Sequence, residues 1–322
     1  MTLPAAPATP LLPDGTPAFG AYEGMCRRVS WDGIRGAPGP VWRFLHAKKW
    51  HYVSIAGPRV VFAMAIVNLG WVGSAFAYVF DRVDRVLRAN LSLTGLPPLV
   101  ADRPGEGAVS TVSGRGAHLR LERPEGSSLW RLHGRWRSLA VDATLDAAAA
   151  APTLCAVARI EGGAANCTHK TPCLPAAGTI VAEGVTYSLD AHVGALDHTV
   201  GLLARDTRWK WVSAAAPGVA VNLVEGFNGP VENAVWLGGA IHPVGAAEIL
   251  YDVRTPRSPW RIRTADGSVD LVFTPEGERS EDKNLVVAAS KYVQPIGTFR
   301  GKLLTKEVDG LVGVTEDHAA RW

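Results

Sequence analysis

This sequence of 322 residues is informative first through what it lacks. No Gly-x-Gly-x-x-Gly fingerprint, Walker loop, Gly-x-Ser-x-Gly elbow or His-Glu-x-x-His pair is present. Their absence argues against dinucleotide enzymes, ATPases, common hydrolases and zinc proteases. A strong excess of charge of one sign is also missing. Net charge is +3 and no block of Lys or Arg stands out, so a nucleic-acid partner is not implied. No amphipathic helical pattern exceeds about two turns. The first 20 residues are rich in Pro and Ala and lack a basic start. They read as neither a signal peptide nor a transit peptide. Residues 1–24 are expected to form a flexible tail, and the location to be cytoplasmic.

Cysteine is scarce, at positions 26, 155, 167 and 173. Cys167, His169 and Cys173 form a C-x-H-x3-C cluster, but zinc needs a fourth ligand and none is evident nearby. The expectation is free thiols in a loop, with no metal and no cofactor.

One long stretch has no charge at all: VVFAMAIVNLGWVGSAFAYVF, residues 60–80. Its length suits a membrane helix, but its pattern does not. Phe62, Met64 and Ile66 fall two apart with small Ala63 and Ala65 between them. Phe76, Tyr78 and Phe80 repeat the rhythm around Ala75 and Ala77. Period-two alternation belongs to strands, and Asn68-Leu69-Gly70 between the halves is turn chemistry. The stretch reads as a hairpin with both faces covered. Membrane contact through residues 60–80 is the alternative, not the favoured reading.

Similar short segments recur: 49–55, 85–93, 118–122, 129–136, 139–145, 179–182, 186–192, 208–212, 219–224, 234–237, 247–253, 260–264, 269–273, 285–289 and 295–304. Turns are expected at Pro124–Gly126, Ala265–Gly267, Pro275–Gly277 and Val308–Gly310. Even spacing of short strands predicts an all-β protein. We expect two antiparallel barrel or sandwich domains packed together, at residues 25–185 and 186–322. The region 162–178 is the least patterned. Eleven Trp residues suit a cavity lined by indoles.

Three segments set charged groups among Trp and Gly: 197–211, 222–233 and 315–322. In a strand Trp209 and Trp211 share one face, and Arg208 and Lys210 take the other. Candidate acids are Asp206, Glu232 and His318, because carboxyl and imidazole groups carry proton transfer. Candidate ligand-binding residues are His198, Arg205, Trp209, Trp211, Asn222, Glu225, Asn228 and Trp236.

Four blocks carry a family resemblance: Lys48-Lys49-Trp50-His51-Tyr52, the run from Asp197 through Thr-x-Gly-Leu-Leu-x-Arg-Asp-Thr-x-Trp-x-Trp211, Asn222 to Asn228, and Gly313-Val-Thr-Glu-Asp-His318. Together they resemble the domain-of-unknown-function family DUF2804, over about residues 25–322. Its strand pattern is similar to that of two-domain lipocalin-like proteins, which include carotenoid hydratases and cyclase-like enzymes. The resemblance implies an apolar small-molecule partner and hydratase, isomerase or cyclase chemistry. A non-catalytic lipid or pigment carrier is the alternative, and a membrane-associated protein the second.

Overall fold

The computed structural model describes residues 2–284 and 288–322. Two antiparallel sheets account for nearly all of its regular structure. The first holds β1 (Gly20–Glu23), β2 (Ala47–Ala56), β3 (Val60–Asn68), β4 (Gly73–Asp81), β5 (Val86–Gly95), β6 (Ala108–Gly114), β7 (Ala117–Arg123), β8 (Leu129–Trp136), β9 (Leu139–Asp146), β10 (Leu154–Arg159), β11 (Ala165–Ala182), β12 (Val185–Ser188) and β13 (Val193–Leu202). The second holds β14 (Asp206–Ala216), β15 (Val219–Gly226), β16 (Ala234–Leu237), β17 (Ala240–Pro243), β18 (Ala247–Leu250), β19 (Trp260–Thr264), β20 (Val269–Asn284), β21 (Ala289–Leu303) and β22 (Lys306–Arg321). Among the described residues the α-helical structure is one short helix, α1 (Pro40–His46). No helix among them is long and apolar enough to cross a membrane.

The uncharged stretch is the hairpin β3–β4, with Val60 opposite Asp81 and Asn68 opposite Gly73. Its turn is fixed locally. The Gly70 N–H donates to Asn68 Oδ1 at 2.8 Å, and Gly70 adopts a positive φ of 88°. A Cβ there would also meet the Phe44 carbonyl oxygen at 2.8 Å, so the position needs glycine on both counts.

Sheet order in the first domain is β5-β4-β3-β2-β13-β11-β9-β8-β7-β6. The sheet curls around its own core, where Phe62, Met64, Ile66, Trp130 and Leu132 are buried together. The second sheet runs β17-β16-β15-β14-β22-β21-β20-β19-β18 and encloses Leu223, Trp260, Ile262, Phe273 and Phe299. Both interiors are packed with side chains. The large-small alternation of β3 and β4 places its other face outward. Tyr52, Ala63, Ala65, Tyr78 and Phe80 meet Trp211, Ile296 and Val314 of the second sheet. Gly277 of β20 permits the close approach, because a Cβ there would lie 2.3 Å from the Phe80 ring.

Several expectations are modified. β13 pairs with β2 and β11 inside the first sheet, so the change of sheet falls at residues 203–205 rather than at 185/186. Residues 2–24 are docked: β1 pairs with β10, and Ala5 bridges to Glu23. Pro275–Gly277 lies within β20 and Val308–Gly310 within β22, where the β20–β21 and β21–β22 pairs take up register shifts. Of the expected strand 285–289, residues 285–287 lie outside the described residues.

Candidate active site between the two sheets

A cavity of about 200 Å³ opens between the outer face of the first sheet and the second sheet. Its walls are aromatic. Trp50 and Tyr52 come from β2, Phe76 from β4, Trp209 and Trp211 from β14, and Tyr292 from β21. Tyr52 meets Trp211 edge-on at 5.4 Å between ring centroids. Phe227 lies 5.5 Å from Trp209 and 6.3 Å from Trp50. Such walls favour an apolar ligand, and the few polar groups among them would set its orientation.

One polar group is built on Lys170 of β11. Its ammonium lies 2.7 Å from Asp197 Oδ2 and 3.3 Å from Glu232 Oε1, and 5.7 Å from the Trp211 ring centroid. Burial pulls the ammonium down, but the two carboxylates outweigh it and hold Lys170 above its ordinary value. Asp197 also accepts from the Thr168 and Thr199 hydroxyls at 3.1 and 2.9 Å. Glu232 accepts from the Asn228 amide, and Asn228 Oδ1 accepts from Asn166 at 3.0 Å. Trp211 Nε1 donates to Asn222 at 2.8 Å, and Asn222 donates to the Glu232 carbonyl at 2.9 Å. One cation therefore faces two carboxylates in a buried setting, fixed by donors on every side.

A second polar group sits on β22, beside Trp209. Glu316 accepts from Trp209 Nε1 at 2.8 Å and from Gln294 Nε2 at 2.7 Å. His318 Nδ1 is 3.3 Å from Glu316 Oε1, and His318 Nε2 is 2.9 Å from Ser290 Oγ. The imidazole packs on Trp209 at 4.2 Å between centroids. Trp209 and Trp211 sit two residues apart on one face of β14, so they carry the two polar groups to neighbouring parts of one cavity. Buried Arg279 packs against two of the wall residues. It donates to Asn90 and Ser92 of the first sheet at 2.9 Å each, and lies over Phe76 at 4.3 Å and Tyr292 at 4.8 Å.

The family model for a domain of unknown function, DUF2804, matches residues 5–322. The chain belongs to the DUF2804 family. No curated protein matches it. Three solved structures share the fold of this DUF2804 protein. An AttH protein from Nitrosomonas europaea aligns with a TM-score of 0.56 at 13% identity, over 86% of this chain and 92% of its own. Kievitone hydratase from Nectria haematococca aligns at 0.56 and 12% identity, over 98% of each chain. CghA, solved with Sch210972, aligns at 0.55 and 11% identity, over 98% of this chain and 97% of its own. These likenesses show the two-domain, lipocalin-like all-β fold expected from the sequence.

The structure gathers five of the eleven candidate residues at the cavity: Glu232, His318, Trp209, Trp211 and Asn228. Asn222 stands just behind, bonded to Trp211. Asp206 and Arg205 are exposed outside it. Glu225 points away, toward Lys210 at 2.8 Å. Trp236 is buried elsewhere and donates to the Pro152 carbonyl at 2.7 Å. His198 faces the opposite side of β13 from Asp197. It meets the Ala101 carbonyl at 2.7 Å, and burial, with His169 alongside, pushes it down to about 4. Lys170 was not singled out in the sequence, and Asp197, Glu316 and Trp50, although within the blocks quoted above, were not candidate site residues. The available signal was alternation: in Asp197-His198-Thr199 the outer two residues share a face.

The C-x-H-x3-C reading also changes. Cys167 and His169 lie in β11, not in a loop. Cys173 leaves them at a bulge between Thr171 and Leu174, where its thiol donates to the Ala216 carbonyl at 3.2 Å.

Proposed function

We propose that this DUF2804 protein is an enzyme that takes an apolar small molecule into the cavity between its sheets. Its chemistry is acid–base addition or rearrangement at a carbon–carbon double bond: hydration, isomerisation or cyclisation. The observation that carries the reading is the placement of two acid–base groups, buried Glu232 and half-buried His318, on one aromatic-walled cavity.

Their surroundings divide the work. His318, backed by the Glu316 carboxylate at 3.3 Å, gives a proton to an alkene carbon. The cation left on the neighbouring carbon faces the Trp209 and Trp211 rings, whose quadrupoles favour positive charge. Glu232, held by Lys170 and Asn228, takes a proton from water as the water oxygen bonds to that carbon. The product is the substrate plus one water; Glu232 releases its proton to solvent and His318 takes one back, which restores both groups. Isomerisation uses the same two groups without the water. Lys170 orients Glu232 and Asp197 rather than reacting. The hydratase among the fold relatives agrees with this reading.

The test is incubation of the purified protein with a panel of unsaturated apolar compounds in ¹⁸O-labelled water and, separately, in D₂O. Mass spectrometry of the products should find incorporated label. Glu232→Gln keeps the shape and should still bind, while turnover falls about 10²–10⁴-fold. Full turnover in that variant would remove Glu232 from the mechanism. A ligand that binds the unmodified protein and is recovered without label would leave a carrier in place of an enzyme.

A further inference from the structure

Alternation along β11 gives the strand two polar faces. Thr168 and Lys170 point to the cavity, and Cys167 and His169 point the other way. On that second side Cys155 of β10 stands opposite His169 in register. Cys26 arrives from the segment that follows β1. All four side chains are buried, in a shell that includes Val29, Trp31, Val157 and Val200.

The ligand atoms of Cys26, Cys155, Cys167 and His169 all lie within 4.8 Å of one another. Cys26 Sγ and Cys155 Sγ are 3.8 Å apart. Tetrahedral zinc with Zn–S bonds of about 2.3 Å sets two thiolates ~3.8 Å apart, whereas a disulfide needs about 2.05 Å. The imidazole is poorly served as it stands. Nδ1 is buried with no hydrogen-bond partner, and Nε2 meets the main-chain N–H of Cys26 at 3.2 Å. Soft sulfur donors with one imidazole are the donor set of zinc.

We propose that Cys26, Cys155, Cys167 and His169 bind one zinc ion in a closed structural site. Three thiolates and one neutral imidazole complete a tetrahedron and leave no open position, which separates this site from a catalytic one. The ion ties the N-terminal segment to the β10–β11 pair. It also stiffens, from behind, the strand that presents Lys170 to the cavity. The proposal does not depend on the enzymatic reading.

The experiment uses the full chain, produced without a metal-affinity tag in zinc-supplemented medium. Metal content by mass spectrometry should give about one zinc per chain. Cobalt exchanged into the reduced protein should show the visible bands and sulfur-to-metal charge transfer of a tetrahedral thiolate site. Cys155→Ser and His169→Ala should lower zinc to background. Cys173→Ser, which removes the fourth cysteine, should not change it. If the first two variants fail to fold, the zinc content and cobalt spectrum of the unmodified protein still decide. A reduced protein that takes up neither metal overturns the proposal. So does a Cys26–Cys155 disulfide in peptide maps of unreduced protein.

Discussion

The strands β2, β3 and β4 present two faces with different chemistry. Inward, Val53, Ile55, Phe62, Met64, Ala75 and Val79 pack into the first domain's core. Outward, Trp50, Tyr52, Phe76 and Tyr78 meet the second sheet and the cavity. The inward face is aliphatic-rich and filled. The outward face is aromatic, and polar groups from both sheets reach it. The space open to a ligand lies between the domains. Two packed domains thus act as stiff walls for a site that neither makes alone, and cutting the chain at 203–205 would divide it.

The comparison breaks most readily at Lys170. Lys170→Met leaves Asp197 and Glu232 buried without their cation. Removing one partner of a buried pair costs about 3–5 kcal/mol, and turnover should fall with it. The pH sign follows from the raised position of this lysine. Its stabilisation is fully present below the ordinary value of 10.5 and is lost as pH rises through the folded-state value. Denaturant unfolding of both proteins should therefore show a large gap at neutral pH that narrows above that ordinary value. A gap independent of pH would mean that the ion pairs are not its source.

Phe62→Ala probes the other face. Phe62 is buried in the first domain's core, and deleting such a ring costs about 3–5 kcal/mol. Stability should fall as far as for Lys170→Met, but ligand affinity measured below the unfolding transition should hold. A matching loss of affinity would show that the inner core sets the cavity's shape directly.

How much of this was legible depends on which signal a strand carries. Where one face is apolar, period two was enough: β8, β16 and β19 fall at the expected residues 129–136, 234–237 and 260–264. β11, 18 residues long, was the least patterned region because its buried faces carry polar groups. Asn166, Thr168 and Lys170 take one side, Cys167 and His169 the other. Burial there is sustained by hydrogen bonds and ion pairs from distant strands, which leave no hydrophobic period in the sequence. Lys170 was hidden for the same reason. The blocks rich in Trp and Gly did point to Trp209, Trp211, Asn228, Glu232 and His318. Their parity also bears on the acid candidates. The alternation that pairs Trp209 with Trp211 also groups Asp206 with Arg208 and Lys210.

Asp206→Asn tests that parity and should have the smallest effect. Asp206 opens β14 opposite Arg321 of β22, is exposed and is not among the cavity-lining residues. Asparagine keeps its size and can keep its main-chain pairing. Substitutions at exposed positions of this kind stay within about 0.5 kcal/mol, and turnover should match the unmodified protein. Measuring it beside Glu232→Gln sharpens the contrast, because both changes neutralise one carboxylate, yet only one of these lines the cavity. Loss of turnover in Asp206→Asn with stability intact would place a proton-transfer group on the solvent side of β14. The division of that strand into an aromatic cavity face and a solvated charged face would then be wrong.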